Sequence, residues 1–342
     1  MRKILNENLN TLYKTINEKV GELVLPVKKA GIVNFQTWTD GDEVSLTTLR
    51  TAISPKDVFF PQSETMMKFK LSGKNISIED VRSEVKPFVL FGVKACDLKS
   101  FEVLDNVFLA DPVDTFYQAK REACIVVTLA CGNPDESCFC GTFGIDPSCP
   151  KGDATIYSIN GDLFFESNTE KGKALEEVIS SLLIDADEQE VKSEKERIAN
   201  LMTRLPLGKL DISKFENSST EELFNSAIWE KLSGTCLGCG SCTFVCPTCQ
   251  CFDIRDFNTN KGVIRYRCWD SCMYSDFTQM AGGNNRTTQA QRFRQRFMHK
   301  LKYYPENNNG LFSCVGCGRC VKKCPQHLNI VKVIKSFGGE NK

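Results

Sequence analysis

The chain has 342 residues, with 43 basic side chains balanced by 43 acidic ones, and it contains 18 cysteines. This length is sufficient for about two domains with cores of their own. The balanced charge gives no sign of a nucleic-acid-binding or membrane-surface protein, and the longest apolar runs are far too short to span a membrane.

No basic segment followed by an apolar stretch opens the sequence, so export is not expected. Disulfides are therefore not the expected role of so many cysteines. Metal or redox chemistry in a reducing, cytoplasmic environment accounts better for their number.

The first 228 residues predict an α/β domain. Two buried strands, at 88–93 and 125–129, flank a helix at 98–109, an arrangement typical of a largely parallel or mixed sheet covered on both faces. Asn160-Gly161 predicts a hairpin between strands at 155–159 and 163–166. The other expected elements are a helix at 1–20, strands at 23–25 and 32–38, an apolar loop at 54–64, and helices at 171–183, 188–204 and 221–232.

Four cysteines of this domain follow the predicted strands. Cys96 and Cys131 each come just after a strand, and Cys138 and Cys140 occupy a Gly/Pro/Asp-rich loop. If the two strands are neighbours, their carboxyl ends share one edge of the sheet, where ligands usually bind. The four thiols then make a candidate third iron–sulfur cluster. The alternative is that they are buried as small apolar side chains, which is how we interpret Cys124 and Cys149.

Two cysteine-rich runs dominate the second part of the chain. Residues 236–247 and 314–325 both have the spacing C-x2-C-x2-C-x3-C-P, and they agree at seven of twelve positions. This spacing is typical of [4Fe–4S] binding, whereas zinc sites usually use two separate cysteine pairs. Residues 229–342 are therefore predicted to form a mainly α, ferredoxin-like dicluster domain with an insert at 248–313.

In two-cluster ferredoxins the fourth cysteine of each run binds the other cluster. We accordingly assign one cluster to Cys236, Cys239, Cys242 and Cys324. The other is assigned to Cys314, Cys317, Cys320 and Cys246. Glycines within each run allow the tight turns between ligands.

The insert carries four further cysteines and a basic run. Cys249, Cys251, Cys268 and Cys272 have spacings that fit no common metal site, so packing against the clusters is the preferred interpretation. The basic run at 285–304 is usually a solvated or salt-bridged helical face, although it could dock an acidic partner or place positive charge at the clusters. Lys322 and Lys323 suggest that the cluster nearest Lys322 is the more exposed one.

These motifs together resemble a known family. The chain is similar to the iron–sulfur β subunit of soluble NiFe (sulfhydrogenase-type) hydrogenases and to the A subunit of anaerobic sulfite reductases. The resemblance rests on Phe-Gly-Val-Lys-Ala-Cys-Asp-Leu at 91–98, Cys-Phe-Cys at 138–140, Cys-Pro-Thr-Cys-Gln-Cys-Phe at 246–252, Trp-Asp-Ser-Cys at 269–272, Met-Ala-Gly-Gly at 280–283 and the final run. The family pattern includes Cys96, Cys131, Cys138 and Cys140, whereas Cys268 departs from it.

The resemblance implies a subunit without substrate chemistry of its own in a hetero-oligomeric oxidoreductase. Such a subunit passes electrons between an NAD(P)H-linked FAD/[2Fe–2S] subunit and a second redox partner. That partner is a hydrogenase, a sulfite reductase, a ferredoxin or an electron-bifurcating flavoprotein of anaerobic metabolism. The resemblance thus favours electron transfer, and no catalytic residue is assigned.

The alternative is an enzyme that acts directly on a substrate. Cys242, Cys246 and Cys249 have the C-x3-C-x2-C spacing of radical S-adenosylmethionine enzymes, but using it would leave Cys236 and Cys239 without a role. A siroheme-type enzyme needs cysteine pairs that are spaced differently. No intact Gly-x-Gly-x-x-Gly follows a predicted strand, so no Rossmann nucleotide site is expected.

Overall fold

The computed structural model describes residues 1–82, 85–260 and 262–339. Within these ranges the strands are β1 (Arg2–Ile4), β2 (Glu22–Lys29), β3 (Ile32–Thr37), β4 (Ser63–Ser72), β5 (Asn75–Asp80), β6 (Phe88–Val93), β7 (Cys124–Leu129), β8 (Ala154–Ile159), β9 (Asp162–Ser167), β10 (Ile184–Asp185), β11 (Phe252–Thr259), β12 (Gly262–Trp269), β13 (Gln279–Met280) and β14 (Gly283–Asn284).

The helices in the same ranges are α1 (Leu9–Lys19), α2 (Lys56–Phe59), α3 (Ala95–Phe108), α4 (Thr115–Ala123), α5 (Glu170–Val178), α6 (Glu188–Thr203), α7 (Ser213–Asn217), α8 (Thr220–Phe224), α9 (Ile228–Ser233), α10 (Ser241–Phe244), α11 (Gln289–Met298), α12 (Tyr304–Asn307), α13 (Arg319–Lys323) and α14 (Ile330–Phe337). A π-helical turn at His299–Tyr303 joins α11 to α12.

The N-terminal part of the chain is built on an eight-stranded mixed sheet. Its strand order is β10-β1-β9-β8-β7-β6-β2-β3. The central strands β2, β6, β7 and β8 are parallel to their neighbours in this group, and the outer pairs are antiparallel. The predicted mixed sheet with helices is therefore confirmed.

Both faces of this sheet are covered, which explains the continuous apolar runs of the central strands. Val89 and Phe91 of β6 pack on one face with side chains of α1 and α5. Leu90 and Val93 point to the other face and pack with side chains of α3 and α4. The strand thus contributes to two separate cores, and the register shift between Phe91 and Val93 places Val93 on the same face as Leu90.

A second sheet joins the N-terminal part to the insert. Its order is β11-β12-β4-β5, and β12 pairs with β4 in antiparallel register. The Arg267 side chain of β12 is buried and pairs with Glu64 of β4 and with Asp114, the N-cap of α4. Strands from both sides of the predicted boundary at 228/229 share this sheet, and the two-domain division stays a prediction.

The C-terminal part packs around an aromatic core beside the cysteine runs. Trp229 of α9, Phe293 and Phe297 of α11 and Phe337 of α14 are all buried there. The insert contributes strands β11 to β14 in addition to α11 and α12. The predicted mainly helical, ferredoxin-like character of residues 229–342 therefore stays a prediction, and the insert itself is partly β.

Several local predictions are confirmed and three are wrong. The strand at 88–93 has the predicted bounds, and β7, β8, β9 and α6 lie within a residue of theirs. Residues 1–20 are not one helix, because residues 2–4 pair with β9 and β10 before α1 begins. The predicted helix at 221–232 is two short helices, and the apolar loop at 54–64 contains α2.

Among the described residues, no helix combines the length and the apolar character that crossing a membrane requires.

Candidate iron–sulfur sites

Glycines turn both cysteine runs in the same way. Gly238 and Gly240 of the first run have φ of 64° and 69°, and Gly316 and Gly318 of the second have φ of 59° and 75°. These left-handed conformations are accessible to glycine without a Cβ penalty. The repeated conformation lets each run wrap its thiols around one space.

The four cysteines assigned to the first cluster line one cavity. We call Cys236, Cys239, Cys242 and Cys324 the first-motif site. The cavity measures about 420 Å³ with its open mouth and is otherwise walled mainly by apolar side chains. Cys324 receives the Leu328 N–H at 3.2 Å, and Cys236 receives the Gln289 side-chain amide at 3.5 Å.

The first-motif site is the one nearest the surface. Cys239 is exposed, and the neighbouring Leu237 is 65% exposed. Lys322 of the second run is itself exposed and pairs with Glu136 and Asp135. That the cluster nearest Lys322 is the more exposed one stays a prediction.

The cysteines assigned to the second cluster also converge. We call Cys246, Cys314, Cys317 and Cys320 the second-motif site. Cys314, Cys317 and Cys320 each interact electrostatically with Cys246, which comes from the first run. Burial raises the pKa of Cys317 to about 11 and that of Cys314 still further. A metal cluster would therefore displace protons from these thiols on binding.

The four candidate cysteines of the N-terminal part line one cavity as well. We call Cys96, Cys131, Cys138 and Cys140 the N-terminal site, and its cavity measures about 390 Å³ with its mouth. The site forms as the strand argument predicts, because β6 and β7 are parallel neighbours. Arg50 donates to the Cys138 sulfur at 3.1 Å and pairs with Asp135 at 2.8 Å.

The N-terminal site and the second-motif site share a wall. Cys317 and Gly316 line the cavity of the N-terminal site. The Phe139 N–H donates to the Gly316 carbonyl at 2.9 Å, so the two loops are hydrogen-bonded directly. Arg319 of the second run forms a buried ion pair with Asp97, which follows Cys96 in the first turn of α3.

Three buried cations around the cysteine runs were not predicted as site residues. Lys56 donates to the Cys249 carbonyl at 2.7 Å, and Lys300 donates to the Thr248 hydroxyl at 2.7 Å and the Ser313 carbonyl at 3.0 Å. Arg296 donates to the Cys242 carbonyl at 2.9 Å, while its Nε and Nη1 have no hydrogen-bond partner. No carboxylate among the described residues pairs with any of these three side chains.

The basic run at 285–304 is thus only partly a solvated face. Arg296, Lys300 and Lys302 are each less than 10% exposed. Arg294 does lie outside, where its guanidinium stacks 3.5 Å from the Phe224 ring centroid. The sequence offered a signal that we read the other way, since Phe293, Phe297 and Leu301 place one face of this run in the core.

The additional cysteines separate into distinct groups. Cys249, Cys251 and Cys272 lie close together beside Cys246. Cys268 stands apart on β12, opposite Asp253 of β11. Cys124 is buried in β7, and Cys149 contacts the Tyr157 hydroxyl at 3.9 Å.

The spacing of the thiols bears on the kind of metal group that fits. In the described part of the chain, no three Cys, His, Asp or Glu side chains are close enough to hold a single metal ion. A four-iron cluster is a much larger body than one ion, and its four thiolates stand correspondingly farther apart. Cavities walled by four cysteines therefore suit a cluster better than a zinc ion.

Comparisons with known proteins agree with this geometry. Residues 235–328 match the family of 4Fe-4S dicluster domains. The chain is also 32% identical over 335 residues to sulfhydrogenase 2 subunit beta of Pyrococcus furiosus, an alignment that covers 97% of this chain and 96% of that protein. The chain thus belongs to the family of the sulfhydrogenase β subunit and carries a [4Fe–4S] dicluster domain.

Proposed function

We propose that the chain is the electron-relay subunit of a multi-subunit oxidoreductase. It would hold three [4Fe–4S] clusters, one at the first-motif site, one at the second-motif site and one at the N-terminal site. Each cluster accepts and donates one electron at a time. The protein contributes rigid ligands, close spacing between the sites and charges that set the reduction potentials.

The buried cations carry this proposal. Lys56, Lys300 and Arg296 lie in the interior around the cysteine runs, and their hydrogen bonds run to neutral oxygen atoms. A buried charge without a counter-charge is strongly destabilising. A cluster bound by four thiolates has a net negative charge and supplies the anion that these cations lack. The two unpaired nitrogen atoms of Arg296 favour the same interpretation.

The arrangement of the three sites supports a relay. The second-motif site lies between the other two, because Cys317 borders the N-terminal cavity and Cys320 interacts with Cys242 of the first-motif site. Cys239 brings the first-motif site to the surface. Electrons could therefore enter at one end of a row of three carriers and leave at the other.

The proposed partners follow from the family. We propose that one is an NAD(P)H-linked FAD/[2Fe–2S] subunit and that the other is a hydrogenase, a sulfite reductase, a ferredoxin or an electron-bifurcating flavoprotein. The relative from Pyrococcus furiosus is named as a subunit of a sulfhydrogenase, which supports a hetero-oligomeric assembly. Anaerobic co-purification of the chain from its source, followed by identification of the bound polypeptides, tests this part.

Metal analysis of the anaerobically purified chain tests the cofactor content. We expect about twelve irons and as many labile sulfides per chain, corresponding to three clusters. About eight irons would remove the N-terminal cluster from the proposal, and a chain without iron would overturn the whole of it. A sharp haem-type absorption band or cleavage of S-adenosylmethionine would favour the alternative of a directly acting enzyme.

Single substitutions test the ligand sets. Cys239→Ala, Cys317→Ala and Cys138→Ala each remove one thiol from a different site, and each should lower the iron content by about four. Cys268→Ser is the matched control, because Cys268 lies on β12 outside the three sites. Equal iron loss in the control and in the other variants would show general destabilisation instead.

A further inference from the structure

The four further cysteines of the insert have no role in the relay described above. Two of them, Cys251 and Cys272, lie at the open end of the β11–β12 hairpin. Phe252 pairs with Trp269 in that hairpin, and the Asp270 N–H donates to the Cys251 carbonyl at 2.9 Å. This register brings the two cysteines, 21 positions apart in the sequence, next to one another.

Their side chains are in direct contact. The Cys272 thiol and the Cys272 backbone N–H both donate to the Cys251 sulfur. These hydrogen bonds, the thiol's first, lower the pKa of Cys251 to about 7, and Lys300 and Lys56 act in the same direction. A thiolate held against a second thiol is the reduced form of a redox-active pair.

Cys249 lies near both this pair and the second-motif site. Cys272 interacts with Cys249, and the Cys249 thiol donates to the sulfur of Cys246. Cys246 is the ligand that the first run contributes to that site. The pair therefore lies beside a proposed one-electron carrier, and the buried Lys56 and Lys300 stabilise negative charge on both.

We propose that Cys251 and Cys272 form a reversible disulfide that serves as a two-electron centre of this chain. In the oxidation, the S–H bond of Cys272 breaks and its sulfur bonds to the Cys251 thiolate, which releases one proton and two electrons. The electrons pass one at a time to the adjoining iron–sulfur cluster, and reduction reverses each step. The electron path rests on the proposed relay function, whereas the disulfide chemistry itself depends only on the two thiols.

A disulfide fits the contacts better than a site for a single metal ion does. The thiols touch as a pair, and no third metal-binding side chain of the described residues completes an ion site with them. Intracellular disulfides are usually transient and take part in redox chemistry. Such a centre would couple the single-electron steps of clusters to a partner that exchanges electrons in pairs.

The test is peptide mass spectrometry on the anaerobic, iron-loaded chain. The protein is equilibrated in mixtures of oxidised and reduced dithiothreitol, denatured with an alkylating agent and digested with trypsin. Cys251 then lies in the peptide 232–255 and Cys272 in the peptide 268–286, so a disulfide joins these two peptides. We expect the joined form to follow a two-electron transition, in which its ratio to the reduced form changes tenfold per ~30 mV.

Four variants make the result specific. Cys251→Ser and Cys272→Ser should lose the joined peptides and keep the wild-type iron content. Cys268→Ser should keep both, and it excludes the other cysteine of the peptide 268–286 as the partner. Absence of the joined peptides in the wild type and in Cys268→Ser, at every ratio of the reagent, would overturn the proposal.

Iron content separates this proposal from the relay function. If Cys251→Ser or Cys272→Ser loses about three or four irons, both residues are cluster ligands and the disulfide proposal is wrong. If the wild type forms the joined peptides but contains no iron, the relay function fails and the disulfide stands. As a fourth variant, Lys56→Met should lower the midpoint reduction potential of the Cys251–Cys272 pair and so favour the disulfide. The reason is that it removes a buried charge that stabilises the Cys251 thiolate.

Discussion

One glycine determines how closely two of the sulfur-bearing loops approach. Gly316 has φ of 59°, and a Cβ on it would lie 2.4 Å from the backbone N of Cys140 and from the Phe139 carbonyl oxygen. No side chain fits there without moving the loop that carries Cys138 and Cys140. Glycine is therefore needed at this position for contact between the loops as well as for its dihedral angle.

Gly316→Ala should open this contact. We expect the variant to lose the iron of the N-terminal site, about four atoms per chain, as measured by metal analysis after anaerobic purification. Gly310→Ala is the matched control, because Gly310 also has positive φ, at 82°, but nothing lies within 4 Å of its Cβ position. It should cost only the backbone strain of about 1–2 kcal/mol. Iron loss in both variants would attribute the effect to strain alone.

The buried pair of Asp97 and Arg319 permits a second test at this scale. Both side chains are less than 4% exposed. Asp97→Asn removes the charge that compensates Arg319 and should lower the free energy of unfolding by about 3–5 kcal/mol. Glu102→Gln, in the exposed Lys99–Glu102 pair of the same helix, should change little. Thermal unfolding of both variants gives the comparison, and equal shifts would contradict a special role for the buried pair.

At the scale of elements, a buried arginine reinforces the sheet that joins the insert hairpin to the N-terminal part. Arg267 of β12 is 1% exposed and pairs with Glu64 on β4 and Asp114 before α4. Its guanidinium also lies 5.1 Å from the Phe60 ring centroid. Three elements from distant parts of the sequence thus meet at one side chain.

Arg267→Ala should therefore destabilise the chain strongly. Removing the cation leaves Glu64 with Lys120 as its remaining partner and leaves Asp114 without its arginine, so the expected loss is at the lower end of about 3–5 kcal/mol. Arg265→Ala is the control on the same strand, since Arg265 pairs with Asp256 at the surface and its loss should matter little. Chemical denaturation of the wild type and the two variants measures both losses. Similar denaturation midpoints for Arg267→Ala and Arg265→Ala would contradict this stabilising role of Arg267.

The elements that the sequence predicted well are those with strong local signals. The apolar run of β6 and the Asn160-Gly161 turn between β8 and β9 leave little choice of structure. Strands β4, β5, β11 and β12 were missed because much of their surface is exposed and β12 pairs with β4 almost 200 residues away. The sequence did carry a strand signal in part, since apolar and polar residues alternate in Asn-Ile-Ser-Ile-Glu at 75–79.

At the scale of the whole molecule, the interior charges depend on the bound clusters. Lys300 is 3% exposed and has only neutral oxygen partners, whereas Lys302, two residues later, pairs with Glu306. Removal of the iron would leave Lys300 buried without the negative charge of a cluster. The folded state without iron should therefore be much less stable than the loaded one.

Chelation experiments can isolate this contribution. The wild type should unfold at a lower temperature after iron removal. Lys300→Met should reduce the gap, which is the difference in the free energy of unfolding between the loaded and iron-free chains, by several kcal/mol. Lys302→Met should leave the gap as it is in the wild type. A gap of the same size in all three proteins, measured by calorimetry, would show that the clusters do not compensate Lys300.

Some residues of the candidate sites were predictable from local sequence, as the strands with strong local signals were, and others depend on long-range contacts. The spacing of the two runs indicated the eight cysteines of the dicluster domain, and strand adjacency suggested how Cys96 and Cys131 could meet. The cations were not predictable, because Lys56 reaches Cys249 across 193 positions of the sequence. A basic residue in a sequence does not reveal whether it faces water or a buried anion.

The hydrogen bond from Phe139 to Gly316 would affect the speed of the proposed relay between the N-terminal site and the second-motif site. Electron tunnelling slows exponentially with the gap between donor and acceptor, and it is faster through bonds than through empty space. A backbone bridge between the two loops, with Cys317 in their common wall, keeps that gap short and filled. The fold itself would then determine the order in which electrons pass between the sites, whichever partner supplies them.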